Sequence, residues 1–275
     1  MNIGQYNTLK VVFKGADGFS LEDIATGKRA LLPLREVSGE VTVGQELRVF
    51  VYLDAAEGEV ATMRKAKASV GECAYLKVVD VNEVGAFLDW GLSKDLFVPF
   101  AQQTTKMQLG RSYVVCVYLD NTGRIAASAK IDSYLSDDGR GFEAGEAVDI
   151  LLWERTPLGF KAIINNTHLG MLFDSEVLGD VATGTALYGY IAEVRPDSKV
   201  NLTLQQHTAE ARDELQEAIV EHLRANGGTS TLTDKSSPED IFEAFGVSKK
   251  NYKKALGALY RSKVVELSAE LVRLK

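Results

Sequence analysis

Side chains able to do covalent or metal chemistry are few in this chain, and they stand apart. Cys73 and Cys116 lie inside alternating apolar runs, GECAYLKVVDV and YVVCVYLD, with no CxxC spacing. They suggest neither a zinc site nor a disulfide framework and read as two small buried side chains. His168, His207 and His222 fall on a strand or turn, at a domain junction and on a helix, without a cysteine or carboxylate at ligand spacing. No GxxxxGK[ST], GxGxxG after a strand, HExxH or GxSxG occurs. The expectation is a protein without catalytic residues, metal or cofactor. Non-covalent chemistry is better represented. Residues 247 to 263 hold six cationic side chains, Lys249, Lys250, Lys253, Lys254, Arg261 and Lys263, and no acid.

At about 100° per residue, a helix over this stretch puts Tyr252, Ala255, Leu256 and Leu259 on one side and Lys250, Lys254 and Arg261 on the other. Gly257 falls within the basic face, where a helical glycine costs about 1 kcal/mol relative to alanine. Lys249 and Lys250 oppose the macrodipole at the helix start. Such a face suits phosphates, an acidic protein or plain solvation. The whole chain nevertheless carries a net charge of -7, which argues against coating nucleic acid by electrostatics alone. The acidity is concentrated in residues 142 to 206, with 4 Lys or Arg against 9 Asp or Glu. That segment is the poorest candidate for phosphates and a candidate for docking a protein partner.

The elements that must position these residues come from an internal repeat. GQELRVFVYLDAAEGEVA from Gly44, GRSYVVCVYLDNTGRIAA from Gly110 and GTALYGYIAEVRPDSKVNL from Gly184 align, the glycines 66 and 74 residues apart. Upstream lie DGFSLEDIATGKRALLPL, VGAFLDWGLSKDLFVPF and LGFKAIINNTHLGMLFD, each with a strand-opening glycine and an apolar triplet about twelve residues later. Each repeat reads as five short strands with a longer connection after the third. That is a partly open Greek-key barrel of the OB-fold type, whose strand 2 and 3 face binds oligonucleotides. The expected fold is mainly β with an α+β C-terminal domain: barrels at 1–66, 67–141 with a linker, and 142–206, then a winged helix at 207–275. In the last, TAEARDELQEAIVEHLRANGG is a helix ending at Gly227 and Gly228. A second starts at Ser237 as cap with Pro238 in the first turn and Asp240 as capping-box carboxylate, and closes at Gly246. The third runs from Ser248 to about Ser262, and KVVELSAELVRLK supplies two short strands around Ser268 and Ala269.

In the middle repeat Phe87 alternates with Ala86 and Leu88, so an inward Leu88 turns Phe87 outward. The other repeats place Ser20 and Lys161 at that position, and Leu31 and Met171 at the position of Phe97, so the fold does not require rings there. Outward rings suit single-stranded bases, whose π-faces stack on aromatics for about 1–3 kcal/mol each.

Residues 71 to 131, with VGAFLDW, DLFVP and VYLDNTGRIAAS, resemble the S1-type RNA-binding domain. The resemblance implies an RNA face of Phe87, Phe97, Asp120 and Arg124, with Lys94, Lys106 and Arg111 as further phosphate contacts. It departs from the pattern at Pro99, where many such domains have a histidine. Asp120 and Arg124 also read as a turn ion pair. The first repeat has Asp54 and Glu59 at these places and the third has Val194 and Lys199. Only the middle barrel keeps the whole set.

The full order, with the GRSYVVCVYLD and GRIAASAKI signatures, is similar to the conserved virulence factor B family of bacterial proteins. That resemblance implies RNA binding and post-transcriptional effects on gene expression, virulence factors included, and with the outward rings the expected partner is single-stranded RNA. A DNA-binding role of the winged helix on duplex nucleic acid is the alternative, and a protein scaffold a third. No apolar run approaches the roughly 20 residues that span a bilayer, and MNIGQYNTLK has no signal pattern. A cytoplasmic location without membrane partners is expected.

Overall fold

A computed structural model describes residues 1–54, 58–177, 181–205, 209–268 and 270–275, without the side chains of 209–212. His207 and Ala269 lie outside the described residues. Mostly antiparallel strands build three five-stranded barrels, followed by three helices and a small sheet.

The first barrel consists of β1 (Gln5–Lys14), β2 (Gly18–Glu22), β3 (Arg29–Pro33), β4 (Glu46–Asp54) and β5 (Gly58–Thr62), closed in the order β1-β2-β3-β5-β4. In the second, β6 (Cys73–Val81), β7 (Gly85–Asp89), β8 (Leu96–Pro99), β9 (Ser112–Leu119) and β10 (Ile125–Ser128) follow the order β10-β9-β6-β7-β8, and β10 lies beside β8. The third, β11 (Ala147–Thr156), β12 (Gly159–Ile164), β13 (His168–Phe173), β14 (Ala186–Val194) and β15 (Val200–Thr203), closes like the first. Each fills its interior with alternate residues, such as Leu9, Val11, Leu21 and Leu32 in the first and Ile150, Leu152, Leu172 and Leu202 in the third. The strand-opening glycines have a common cause. A Cβ on Gly18, Gly85 or Gly159 would overlap the carbonyl oxygen of Leu32, Val98 or Leu172 on the next strand.

One feature of the second barrel corrects the sequence reading. Cys73 and Cys116 are joined by a disulfide, because β6 and β9 pair them directly opposite each other with Cα atoms 3.9 Å apart. Strand register, which sequence spacing does not display, brings together residues 43 apart.

The chain divides into two compact units, Met1–Leu135 and Ser136–Lys275. In the first unit the two barrels share a core. Phe50 and Tyr52 alternate with the barrel interior and turn outward, where Trp90 of the second barrel meets Phe50 edge-on at 5.6 Å. Phe50 is 0% and Trp90 4% exposed. A 3-10 turn after β3 ends at Glu36, which is 2% exposed, accepts from Thr62 Oγ1 at 2.6 Å and Ser93 Oγ at 2.5 Å, and is ion-paired with Arg64 Nε at 3.2 Å. Ser93 belongs to the second barrel, so this buried carboxylate ties the pair together.

In the second unit α1 (Ala209–Ala225), α2 (Pro238–Phe245) and α3 (Lys249–Arg261) stand with β16 (Thr229–Ser230), β17 (Val265–Leu267) and β18 (Val272–Leu274) in the order β16-β18-β17, a winged helix. Ser237 caps α2 by accepting from the Asp240 amide at 3.0 Å, and Gly246 ends it in the left-handed region. Tyr252, Ala255, Leu256 and Leu259 form the buried stripe of α3. The short strand β16 went unread in the sequence, since two residues carry no periodicity. The third barrel repeats the buried carboxylate. Glu176 accepts from Thr203 Oγ1 at 2.7 Å and from Lys250 Nζ of α3 at 2.9 Å. Gln205 accepts from the Ser248 amide at 3.2 Å and from the Asn251 side chain, and donates to the Gly246 carbonyl at 3.1 Å.

Replacing Glu36 with alanine removes the acceptor of the buried Thr62 hydroxyl and of the Ser93 hydroxyl, and the ion-pair partner of Arg64. The expected loss is about 2–3 kcal/mol of unfolding free energy, allowing for the exposure of Arg64. Denaturant titration of the full chain measures it, with Glu40→Ala, at an exposed position of the following loop, expected to change little.

Candidate nucleic-acid interface

The outward side of each barrel can be followed as a row of paired residues. In the second barrel Asp80 pairs with Phe87, Phe87 with Phe97, and, beyond the β8 to β10 junction, Ala126 with Tyr118. Phe87 and Phe97 are half-buried, stand outside the hydrophobic core, and hold their ring centroids 5.1 Å apart with planes inclined by 35°. Their neighbours Ala86, Leu88, Leu96 and Val98 fill the interior. The rings are thus paired on the outer surface, held by the two strands whose cores anchor them.

The equivalent row in the first barrel runs Phe13, Ser20, Leu31, Val60 and Tyr52. Val60 and Tyr52 are buried in the core shared with the second barrel, and no ring stands at Ser20 or Leu31. In the third barrel the row is Glu154, Lys161, Met171, Asn201 and Glu193. Lys161 pairs with Glu154 at 2.6 Å and lies over the Trp153 ring at 4.9 Å, and the Asn201 amide donates to Glu193 at 2.6 Å. Its cation is thereby neutralised locally.

Asp120 acts as the cap of a turn. Its carboxylate accepts from the Thr122 hydroxyl at 2.6 Å, the Thr122 amide at 2.8 Å and the Arg124 amide at 3.0 Å, while the Asp120 amide donates to the Arg124 carbonyl. The Thr122 hydroxyl and then the Arg124 amide hold the Asp120 pKa below its ordinary value. The guanidinium of Arg124 is exposed and, among the described residues, in no side-chain ion pair. The turn therefore presents Arg124 through a backbone latch, which differs from a side-chain pair.

The remaining predicted cations divide. Lys106 and Arg111 are exposed, and Lys106 lines a shallow open cleft of about 380 Å³ with Phe100, Gln103, Thr104 and Thr105. Lys94 is instead paired with the buried Asp54 across the two barrels. On α3, Lys250 is held by Glu176, Lys253 lies 3.8 Å from Asp234, and Lys249 donates to the Lys235 carbonyl at 3.4 Å. Lys254, Arg261 and Lys263 are exposed, and a Cβ added to Gly257 would meet nothing. The basic face is thus open toward its C-terminal end, while its start is bonded to the third barrel. Sequence reasoning missed this because Glu176 and Lys250 are 74 residues apart. It also missed Tyr118 and Tyr134, whose rings lie 5.3 Å apart. Alternation past Val117 was the available signal for Tyr118.

Barrels of this topology with such a C-terminal unit define a multidomain protein of S1 domains and a winged helix. Residues 3–64 and 70–130 match the S1 domain, and residues 217–274 match the CvfB-like winged helix domain. The chain thus carries S1 domains and a CvfB-like winged helix domain. It is 28% identical over 274 residues to the uncharacterized protein YitL of Bacillus subtilis, covering 95% of this chain and 90% of that protein. With conserved virulence factor B of Staphylococcus epidermidis it shares 23% identity over 99% of this chain and 94% of the relative. The Staphylococcus aureus protein of that name is 22% identical over 86% and 81%. A solved multidomain protein with nucleic acid binding domains from Streptococcus pneumoniae aligns over 100% of this chain and 99% of its own, at 23% identity and a TM-score of 0.42. S1 domains and a winged helix make nucleic acid the partner class, and no catalytic domain is evident among the matched families. Among the described residues no helix is long and apolar enough to cross a membrane.

Because the folded-state pKa of Asp120 is depressed, its stabilisation of the turn is present above the ordinary carboxylate pKa of about 3.9 and is lost as pH falls through the lower folded value. Asp120→Ala is expected to remove it at all pH. Amide exchange at Thr122 and Arg124 should quicken about tenfold or more, the equivalent of a hydrogen bond to a charged group. Unchanged protection at both amides contradicts the latch.

Proposed function

We propose that the chain is a non-catalytic, cytoplasmic RNA-binding protein that stacks single-stranded RNA on the second barrel and acts after transcription on gene expression. Bases stack on Phe87 and Phe97. Arg124, with Lys106 and Arg111, contacts the phosphates, and Lys254, Arg261 and Lys263 add cations from the winged helix. The observation that carries this reading is the Phe87–Phe97 pair, two rings on paired strands that serve no interior. Half-buried rings that fill no interior mark a surface that something covers, and exposed cations on the same barrel favour a polyanion. The S1 match over residues 70–130 supports nucleic-acid binding by this barrel, and the relatives named conserved virulence factor B support a connection with virulence.

Insertion of α3 into a duplex groove is the weaker reading. The start of that helix is engaged by Glu176 and Gln205 of its own unit, leaving mainly its C-terminal cations for contact.

A Phe87→Ala, Phe97→Ala double variant of the full chain should bind an unstructured RNA at least about thirtyfold more weakly, since each lost stacking contact is worth 1 kcal/mol or more. Fluorescence anisotropy at fixed salt measures this, with a thermal melt to verify folding. A folded variant with unchanged affinity contradicts stacking.

A further inference from the structure

We infer that Tyr118 and Tyr134 form a second base-stacking site for the same RNA strand, an inference that rests on the Phe87 and Phe97 reading. Tyr118 lies on the outward row of the second barrel, opposite Ala126, and its neighbour Val117 fills the core. Tyr134 follows the 3-10 turn Ile131–Ser133 and brings its ring to 5.3 Å from that of Tyr118, inclined by 42°. Neither ring belongs to the shared core, and Tyr134 is 38% exposed. Among the described residues neither phenol hydroxyl makes a hydrogen bond, so the pair has no polar anchoring duty that would explain it.

The surroundings fit a continued strand. Tyr118 is two residues before Asp120, whose turn presents the exposed Arg124, and Lys130 is exposed four residues before Tyr134. Desolvation, then Tyr134 and Asp120, raise the pKa of Tyr118, so it remains a neutral phenol suited to stacking at ordinary pH. β10, which carries Ala126 opposite Tyr118, lies beside β8, which carries Phe97, and Arg124 stands on the connection into β10. A strand crossing from β8 over β10 toward β9 runs from the phenylalanines to the tyrosines, with the Arg124 turn at the start of β10. The ligand class is single-stranded RNA longer than the Phe platform alone accommodates, bound without base specificity, because stacking uses π-faces.

The test compares unstructured RNAs of about four and about ten nucleotides, within the span of known barrel site sizes, on the full chain. Tyr134→Ser alters an exposed ring, and Tyr118→Leu with Tyr134→Ser removes the pair. Both are expected to weaken the longer RNA at least about fivefold and leave the shorter one unchanged, while Tyr134→Phe, which keeps the ring, binds like wild type. If the tyrosine variants bind both lengths like wild type, the second site is refuted. An equal loss for both lengths refutes its separateness. Should Phe87→Ala, Phe97→Ala leave both lengths unaffected while the tyrosine variants weaken the longer, the phenylalanine reading fails and the tyrosine site stands.

Discussion

A five-stranded barrel of about sixty residues can bury only one side of each strand, and the distinctive features of this chain follow from how the other side is occupied. In the first barrel the outward residues of β4 and β5 are Phe50, Tyr52 and Val60, and they are spent on packing against Trp90. In the third, Lys161, Asn201 and their acidic neighbours bond to one another. In the second, Phe87, Phe97 and Tyr118 occupy the row, each with an aromatic neighbour, Phe87 with Phe97 and Tyr118 with Tyr134. The same backbone thus supplies an assembly surface, a locally neutralised surface and an aromatic one.

A second repeated device decides which domains hold together. The last residue of the 3-10 turn after the third strand reaches a hydroxyl on the fifth: Glu36 to Thr62, Gln102 to Ser128, Glu176 to Thr203. Where that residue is a buried glutamate, the following domain supplies a donor to it, Ser93 in one unit and Lys250 in the other. Buried carboxylates left without such partners are costly. Glutamine carries no such demand, and Gln102 is satisfied within its own barrel. The chain divides between Leu135 and Ser136, so each unit contains one such shared carboxylate.

Periodicity made the barrels and the helices legible, because alternation and the 3.6-residue repeat are local properties. The outward position of Phe87 was legible for the same reason. What stayed hidden depends on register and tertiary approach: the pairing of Cys73 with Cys116, the capture of Lys250 by Glu176, and the engagement of Lys94 with Asp54. A lysine in a sequence shows its charge but not the carboxylate that meets it. The internal repeat partly compensates, since comparing Ser20, Phe87 and Lys161 separates residues the fold needs from residues it merely permits.

If the three outward rows are unequal and RNA lies on the second, photo-crosslinking an unstructured RNA to the full chain should mark residues around Phe87, Phe97 and the Arg124 turn. The buried row of the first barrel around Tyr52 and Val60 should remain unmodified. Crosslinks concentrated on the first barrel, with the second left clean, contradict that placement.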